Sequence, residues 1–381
     1  MPAKKATQKK LKVIIAGGGT GGHLYPGIAL AESFKKIGAE VHFVGSKRGI
    51  ETRVVPREGY DLHLIPVKGL KGGRVIGTIL GFLILPLAFF KSIWILLRVR
   101  PQIVVGVGGY ASGPLVMTAT MLFFRTFILE QNTRPGITNR ILGKFVRRIY
   151  ASFKESAGFF PVNRFIPAGN PVRENIVESI KNAGLSEAHT ECNVLVFGGS
   201  QGAHAINKAL IDAATKLSEL NIKIRHQTGK LDQTEVKSAY GKAGIKSEVS
   251  EFIYEMHDAY NEADVIICRA GATTLAELAI AGKPAILIPY PYAADNHQEL
   301  NALSVESAGG AVCITERDLT VQVLIETLKK LTMDQVLREE MSRKMTALAK
   351  PQAASDIRDD MLKFLKNYSE YTTLSGDGVN K

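Results

Sequence analysis

Cysteine is scarce in this chain of 381 residues, which has three. Cys192, Cys268 and Cys313 form neither a spaced pair nor a metal-ligand pattern. That argues against a disulfide scaffold and a zinc module and points to a reducing compartment. Cys268 closes an apolar run and reads as a core residue. A secretory leader is not expected either. The apolar run behind the basic start is only Val13 to Ala16, far short of a signal peptide, so the chain is expected on the cytosolic side. No Asp-x-Asp and no cluster of metal ligands occurs, so no metal site is expected; no cofactor is expected to be required, with a divalent cation at most stimulating. Negative charge is short: 36 Asp and Glu against 48 Lys and Arg leave a net charge of +12. Such a chain seeks anionic partners: phosphate groups, nucleic acid or an anionic membrane face. Part of the excess sits in Lys4, Lys5, Lys9, Lys10 and Lys12, read as a flexible solubilising tail over 1–11.

What is present is a repeated strand–helix grammar, long enough for two domains. Strands are expected at 12–16, 41–45, 62–66, 103–107, 126–129 and 148–151. Helices are expected at 25–37, 49–57, 74–98, 113–123 and 135–144. Pro167-Ala168-Gly169-Asn170-Pro171 reads as a linker. The grammar then restarts, with strands from Val194, at 222–227, 248–253, 264–268, 285–288 and 311–313. Its helices are expected at 205–220, 256–261, 273–281, 296–307, 319–331 and 335–348, with one more at 355–367. This is an α/β fold of two Rossmann-like, doubly wound parallel sheets, with their ligands expected in a shared cleft at the carboxyl ends of the strands. The expected boundaries are 12–168 for the first domain, 169–350 for the second, and 351–381 for a helix returning to the first domain plus a tail.

The stretch 75–97 is apolar on every side, carries the only tryptophan, Trp94, and is broken by Pro86. A buried helix and a membrane span are the alternatives, but Lys91 and Arg98 would lie at depth in a span. Lys68, Lys71 and Arg74 precede it and Lys91, Arg98 and Arg100 follow it. Apolar surface ringed by cations suits a patch lying on an anionic membrane, for which Leu83, Phe89 and Trp94 are the candidates.

Glycine-rich turns carry the chemistry. Gly17-Gly18-Gly19-Thr20-Gly21-Gly22-His23 joins a strand to a helix, which is phosphate-loop geometry ending in a histidine. It also matches a dinucleotide fingerprint, but the second strand ends in Val44-Gly45-Ser46-Lys47-Arg48, with no acid for a ribose. Gly106-Val107-Gly108-Gly109-Tyr110 and Glu130-Gln131-Asn132 follow later strands of the same sheet, so His23, Tyr110, Glu130 and Asn132 are expected to converge. Helix caps are the alternative for Glu130 and Asn132. In the second half, Gly198-Gly199-Ser200-Gln201-Gly202 is another anion cradle. After Cys268-Arg269-Ala270-Gly271, the amides of Ala272 to Thr274 suit a phosphate, and Glu277, on the face of Thr273 and Thr274, suits a ribose diol. A capping-box role is the alternative for Glu277. Asp295-Asn296-His297-Gln298 suits sugar hydroxyls.

In this order, GGGTGGHLYPGIALAE, GVGGYASGP, LEQN, GNPVR, FGGSQGA, CRAGATTLAE and DNHQ resemble the MurG family of bacterial N-acetylglucosaminyltransferases over about residues 11–365. The resemblance implies a GT-B glycosyltransferase of family 28, metal-independent and inverting. It would move N-acetylglucosamine from UDP-N-acetylglucosamine to the C4 hydroxyl of undecaprenyl-pyrophosphoryl-MurNAc-pentapeptide (lipid I), giving lipid II for peptidoglycan. It implies donor contacts at Thr20, Gly21, Gly22, Asn132, Arg173, Ser200, Ile253, Ala272, Thr273, Thr274, Leu275, Ala276, Glu277 and Gln298. The family's neighbouring glutamine is His297 here. His23 is the expected base, with Glu130 as rival, and His23, Tyr110 and Glu130 face the acceptor. The implied location is the cytoplasmic face of the inner membrane. The partners are UDP-N-acetylglucosamine, lipid I and the anionic membrane surface, without nucleic acid; other cell-wall synthesis and division proteins are further candidates. Two rivals stand beside this reading: a UDP-N-acetylglucosamine 2-epimerase, and a non-catalytic membrane module that binds a nucleotide sugar.

Overall fold

The computed structural model describes residues 10–67, 75–182, 191–199 and 201–365, with the backbone alone for 75–84. Ser200, the side chain of Leu83 and nearly all of the expected basic tail therefore lie outside the described residues. The chain divides into two compact units. Unit 1 comprises 1–131, 135–173 and 352–381, and unit 2 comprises 132–134 and 174–351.

Unit 1 holds seven parallel strands: β1 (Lys12–Gly17), β2 (Glu40–Gly45), β3 (Asp61–Leu64), β4 (Ile103–Gly108), β5 (Arg125–Glu130), β6 (Arg148–Ala151) and β7 (Phe165–Pro167), in the order β3-β2-β1-β4-β5-β6-β7. Their near-continuous apolar runs follow from burial of both faces. Along β1, Val13 and Ile15 enter one core, while Ile14 and Ala16 enter the core on the other face. The helices are α1 (Gly21–Lys36), α2 (Glu51–Arg57), α3 (Val75–Val99), α4 (Ser112–Met121) and α5 (Ile137–Leu142).

Unit 2 opens with α6 (Glu174–Asn182), then β8 (Cys192–Phe197), α7 (His204–Asp212), α8 (Ala214–Leu217), β9 (Ile222–Gln227), α9 (Gln233–Ala243) and β10 (Lys246–Ser250). It continues with α10 (Met256–Glu262), β11 (Val265–Cys268), α11 (Ala272–Ala281), β12 (Ala285–Leu287), α12 (His297–Ser307), β13 (Ala311–Cys313), α13 (Val321–Met333) and α14 (Gln335–Thr346). The sheet order is β10-β9-β8-β11-β12-β13, all parallel. The last helix, α15 (Ala353–Leu362), belongs to unit 1. Its Ile357, Met361 and Leu362 join the core of Phe34 and Phe127. The Tyr150 hydroxyl donates to Asp360 Oδ2 at 2.9 Å, and Arg358 Nη1 donates to the Ser33 carbonyl at 3.1 Å.

Several elements differ from the reading of the sequence. The helix expected over 205–220 is two, α7 and α8, separated at Ala213. Helix α9 was not expected, because only Val236 and Tyr240 of its 11 residues are buried, too few to mark a stripe. Strand β7 and helix α6 flank the proline-rich linker, whose turn signals hid them. The division between units falls after Arg173, five residues beyond the expected boundary.

For the stretch 75–97, apolar on every side, the side chains from 85 onward divide into a buried and an exposed face. Ala88, Ser92, Ile95, Leu96 and Val99 are buried, whereas Leu87, Phe90, Trp94 and Leu97 are exposed. The spacing of the exposed set, three and four residues, is one helical stripe. Over 87–99 the helix thus packs one apolar face inward and leaves a second apolar face outward. No helix among the described residues is long and apolar enough to cross a membrane.

Candidate active site

In unit 1 the turns after β1, β4 and β5 meet around His23. Gly108 has φ of 94°, a conformation natural to glycine, and a Cβ there would lie 2.7 Å from His23 Nδ1. A Cβ on Gly17 would strike the Gly108 carbonyl. The glycines of the first and second turns are therefore there to let backbone meet backbone and imidazole.

His23 sits in the first turn of α1, its own N–H and that of Leu24 directed to the Thr20 carbonyl at 3.3 and 3.1 Å. His23 Nδ1 lies 3.0 Å from Gln131 Oε1. Gln131 is 1% exposed, and its Nε2 donates to the Val107 carbonyl at 3.1 Å. That bond orients the Gln131 amide so that its oxygen faces the imidazole. An amide oxygen only accepts, so Nδ1 carries the proton and Nε2 is the basic nitrogen. Gln131 lay inside the LEQN motif but had no role assigned from sequence; burial and the Val107 bond reveal one.

The other expected residues of unit 1 take separate places. Glu130, 2% exposed, accepts from Asn139 Nδ2 of α5 at 2.9 Å. Tyr110 is 51% exposed, two residues beyond β4. Thr20 precedes α1 as its N-cap, with Gly21 and Gly22 in the first turn. The Arg173 guanidinium stacks on Tyr25 at 4.6 Å, and its buried Nε has no hydrogen-bond partner among the described residues.

Unit 2 presents a second set of groups after its strands. Helix α11 begins after Gly271, which has no capping side chain, and the first intrahelical bond runs from Leu275 N–H to the Gly271 carbonyl at 3.0 Å. The amides of Ala272, Thr273 and Thr274 precede it, and the helix dipole favours an anion there. Glu277, 9% exposed, accepts from the fully buried Tyr260 hydroxyl at 2.8 Å. Glu277 lies six residues beyond the cap, too far into α11 to close a capping box on Gly271. Tyr260 gave no sequence signal, since it reads as an ordinary core aromatic of α10.

Leu275 is buried and Ala276 half-buried on α11. Ile253 is 5% exposed, between the exposed Phe252 and Tyr254. Gln298 Oε1 accepts from Tyr290 N–H at 3.1 Å, and His297 Nδ1 donates to the Ala294 carbonyl at 2.6 Å. Asn301 Oδ1 accepts from both Thr133 N–H and Thr133 Oγ1 at 3.0 Å, and Asn301 Nδ2 donates to Asn132 Oδ1 at 3.2 Å.

A cavity of about 1180 Å³ in unit 2 lies elsewhere. Cys192, Asp264 and Pro284 line it, at the amino ends of β8, β11 and β12. Ligands of open parallel sheets collect at the carboxyl ends, so the turns above are the better site.

The glycosyltransferase family 28 N-terminal domain matches residues 13–151, and the family's C-terminal domain matches 193–357. A relative from Anaeromyxobacter sp., described as UDP-N-acetylglucosamine–N-acetylmuramyl-(pentapeptide) pyrophosphoryl-undecaprenol N-acetylglucosamine transferase, is 46% identical over 353 residues, 92% of either chain. The crystal structure of Acinetobacter baumannii MurG superposes with a TM-score of 0.77 at 30% identity, covering 93% of this chain and 100% of that one. A UDP-GlcNAc 2-epimerase from Neisseria meningitidis, crystallised with UDP-GlcNAc, reaches a TM-score of 0.65 at 13% identity, covering 93% of this chain and 100% of that one, a likeness of fold alone.

Proposed function

The chain belongs to glycosyltransferase family 28, and from that premise we propose that it is a MurG-type N-acetylglucosaminyltransferase. It moves N-acetylglucosamine from UDP-N-acetylglucosamine to the C4 hydroxyl of lipid I, giving lipid II. The observation that carries the mechanism is the His23–Gln131–Val107 chain, which leaves Nε2 as the basic nitrogen.

In the proposed step the acceptor's C4 oxygen attacks the anomeric carbon while its proton passes to His23 Nε2. The bond from that carbon to the β-phosphate oxygen breaks, its electron pair leaves with UDP, and the configuration inverts. The amides of Ala272 to Thr274 and the Arg173 guanidinium neutralise the leaving diphosphate, the cradle at Ser200 supplies further donors, and Glu277 accepts from the ribose hydroxyls. Ile253 meets the uracil through its backbone, and Gln298 the sugar. Tyr110 and Glu130 belong to the acceptor side. The mechanism calls on no cofactor, and turnover in a chelator tests that.

The outward face of α3 supports a peripheral seat on the cytoplasmic face of the inner membrane. Leu87, Phe90, Trp94 and Leu97 present apolar surface, and Lys91 Nζ and Arg98 lie 4.2 and 5.2 Å over the Trp94 ring. Cations beside an interfacial tryptophan suit anionic headgroups.

The deciding measurement is turnover of a lipid I analogue with UDP-N-acetylglucosamine by wild type and His23→Ala. General base catalysis is worth about 10²–10⁴-fold. A His23→Ala kcat within about tenfold of wild type would exclude His23 as the base. Product formation from UDP-N-acetylglucosamine alone, without acceptor, would favour the epimerase instead.

A further inference from the structure

The first glycine turn already holds an anion. Sequence places no acid at the end of β2, yet the fold brings one there: Glu51, the first residue of α2, is 1% exposed. Its Oε2 accepts from the Gly19 amide at 2.8 Å. Its Oε1 accepts from Ser46 N–H at 2.8 Å and Ser46 Oγ at 2.9 Å. The carboxylate fills the hollow beside Gly18 and Gly45, where a Cβ would come within 2.6 and 2.5 Å of the Glu51 side chain. Three donors on two oxygens, with the group out of water, make a built contact. A nucleotide-binding turn spends such amides on phosphate.

We infer that Glu51 is a positioning residue for the proposed transfer, an internal carboxylate that ties the Gly19 amide of the first glycine turn to the end of β2 and so sets the imidazole of His23. The connection is short. Glu51 fixes Gly19, the next residue Thr20 receives the His23 and Leu24 amides, and His23 then meets Gln131. Without the carboxylate, Gly17 to Thr20 lose the bond that holds an otherwise permissive run of glycines. The first turn is thereby a mount for the base. Glu51 touches neither substrate nor reacting atoms, so its signature is a larger change in kcat than in donor binding.

The inference rests on the transferase reading, and the experiment separates the two. UDP-N-acetylglucosamine affinity and lipid I analogue turnover are measured for wild type, Glu51→Gln and Ser46→Ala, with kcat taken per donor-binding site so that loss of folded protein does not register. In Glu51→Gln an amide NH₂ replaces one acceptor oxygen and faces a donor. Its kcat is expected to fall about 10- to 100-fold, the scale of a misplaced catalytic group. KM for UDP-N-acetylglucosamine is expected to rise less than kcat falls, since Thr20 to Gly22 follow the loosened Gly19 while the donor groups of unit 2 are untouched. Ser46→Ala removes one of the three donors and is expected to lower kcat about two- to fivefold. If Glu51→Gln does not fold, Ser46→Ala decides. Unchanged kcat in the folded variants, or a KM for the donor that rises in proportion, overturns the positioning role. Absence of wild-type turnover overturns the transferase reading instead.

Discussion

Gln131 Oε1 stands 3.0 Å from His23 Nδ1, and because the Gln131 NH₂ is engaged by the Val107 carbonyl, the contact selects one imidazole tautomer. Replacing Gln131 by leucine removes the acceptor and frees the ring to carry its proton on either nitrogen. We expect kcat to fall about tenfold at constant donor KM. Gln131→Glu puts a carboxylate against Nδ1, which favours imidazolium, so a base that must be neutral then needs a higher pH. The acidic limb of the pH–kcat/KM profile should move up by about one unit. A limb that stays in place would show that His23 is not the titrating base.

Tyr260 gives Glu277 a buried donor, and the tyrosine ring is packed against Phe197 at 6.0 Å. Tyr260→Phe keeps the ring and deletes only the hydroxyl. A hydrogen bond to a charged group is worth about 1.5–3 kcal/mol, so KM for UDP-N-acetylglucosamine should rise roughly tenfold or more while kcat changes little. UDP, which keeps the ribose, should weaken in parallel. A change in kcat alone would remove Glu277 from donor binding.

On α3, the triple variant Leu87→Ser, Phe90→Ser, Leu97→Ser strips the outward apolar stripe without touching the buried Ile95 and Leu96. Burying one such side chain is worth about 1.5–3 kcal/mol, so affinity for anionic vesicles should fall more than tenfold. Turnover of a short-chain soluble acceptor should persist. Equal vesicle binding by the variant would take the membrane role away from this face.

His226 carries a pH dependence of stability. It is fully buried, its Nε2 lies 3.0 Å from Asn207 Oδ1 and its Nδ1 lies 2.9 Å from the Tyr240 hydroxyl. Burial pushes its pKa down from 6.5 to about 3. Between those values the unfolded chain binds more protons than the folded one, so stability is fully present above 6.5 and declines as pH falls. By pH 5 the loss is about 2 kcal/mol. Denaturant unfolding at pH 7 and pH 5 should show this for wild type, and His226→Gln should be flatter. Equal slopes would assign the acid sensitivity to other groups.

The sheets were legible because burial on both faces writes itself as runs such as Val13 to Ala16. The glycine turns were legible as places where backbone comes close. What they come close to was not. Gly18 makes room for Glu51 and Gly108 for His23, and a sequence records the gap without naming its occupant. Gln131 and Tyr260 escaped for the complementary reason: each is a buried residue of ordinary type whose role lies in one polar atom. Helix α3 was legible as apolar on every side, but which apolar side faces inward was not. Only contact with α4 and the sheet distinguishes Ile95 from Trp94.

The return of α15 to unit 1 bears on the order in which the chain is made. Ile357, Met361 and Leu362 complete a core begun by Val13 and Phe34, so the ribosome must translate all of unit 2 before unit 1 has its last wall. Unit 2, which apart from 132–134 is the single stretch 174–351, can close first although it is synthesised second. Until then unit 1 waits with Phe34 and Phe127 uncovered. Chains arrested at Pro351 should therefore be cleaved in unit 1 while unit 2 resists protease, and resistance of both units would reverse that order.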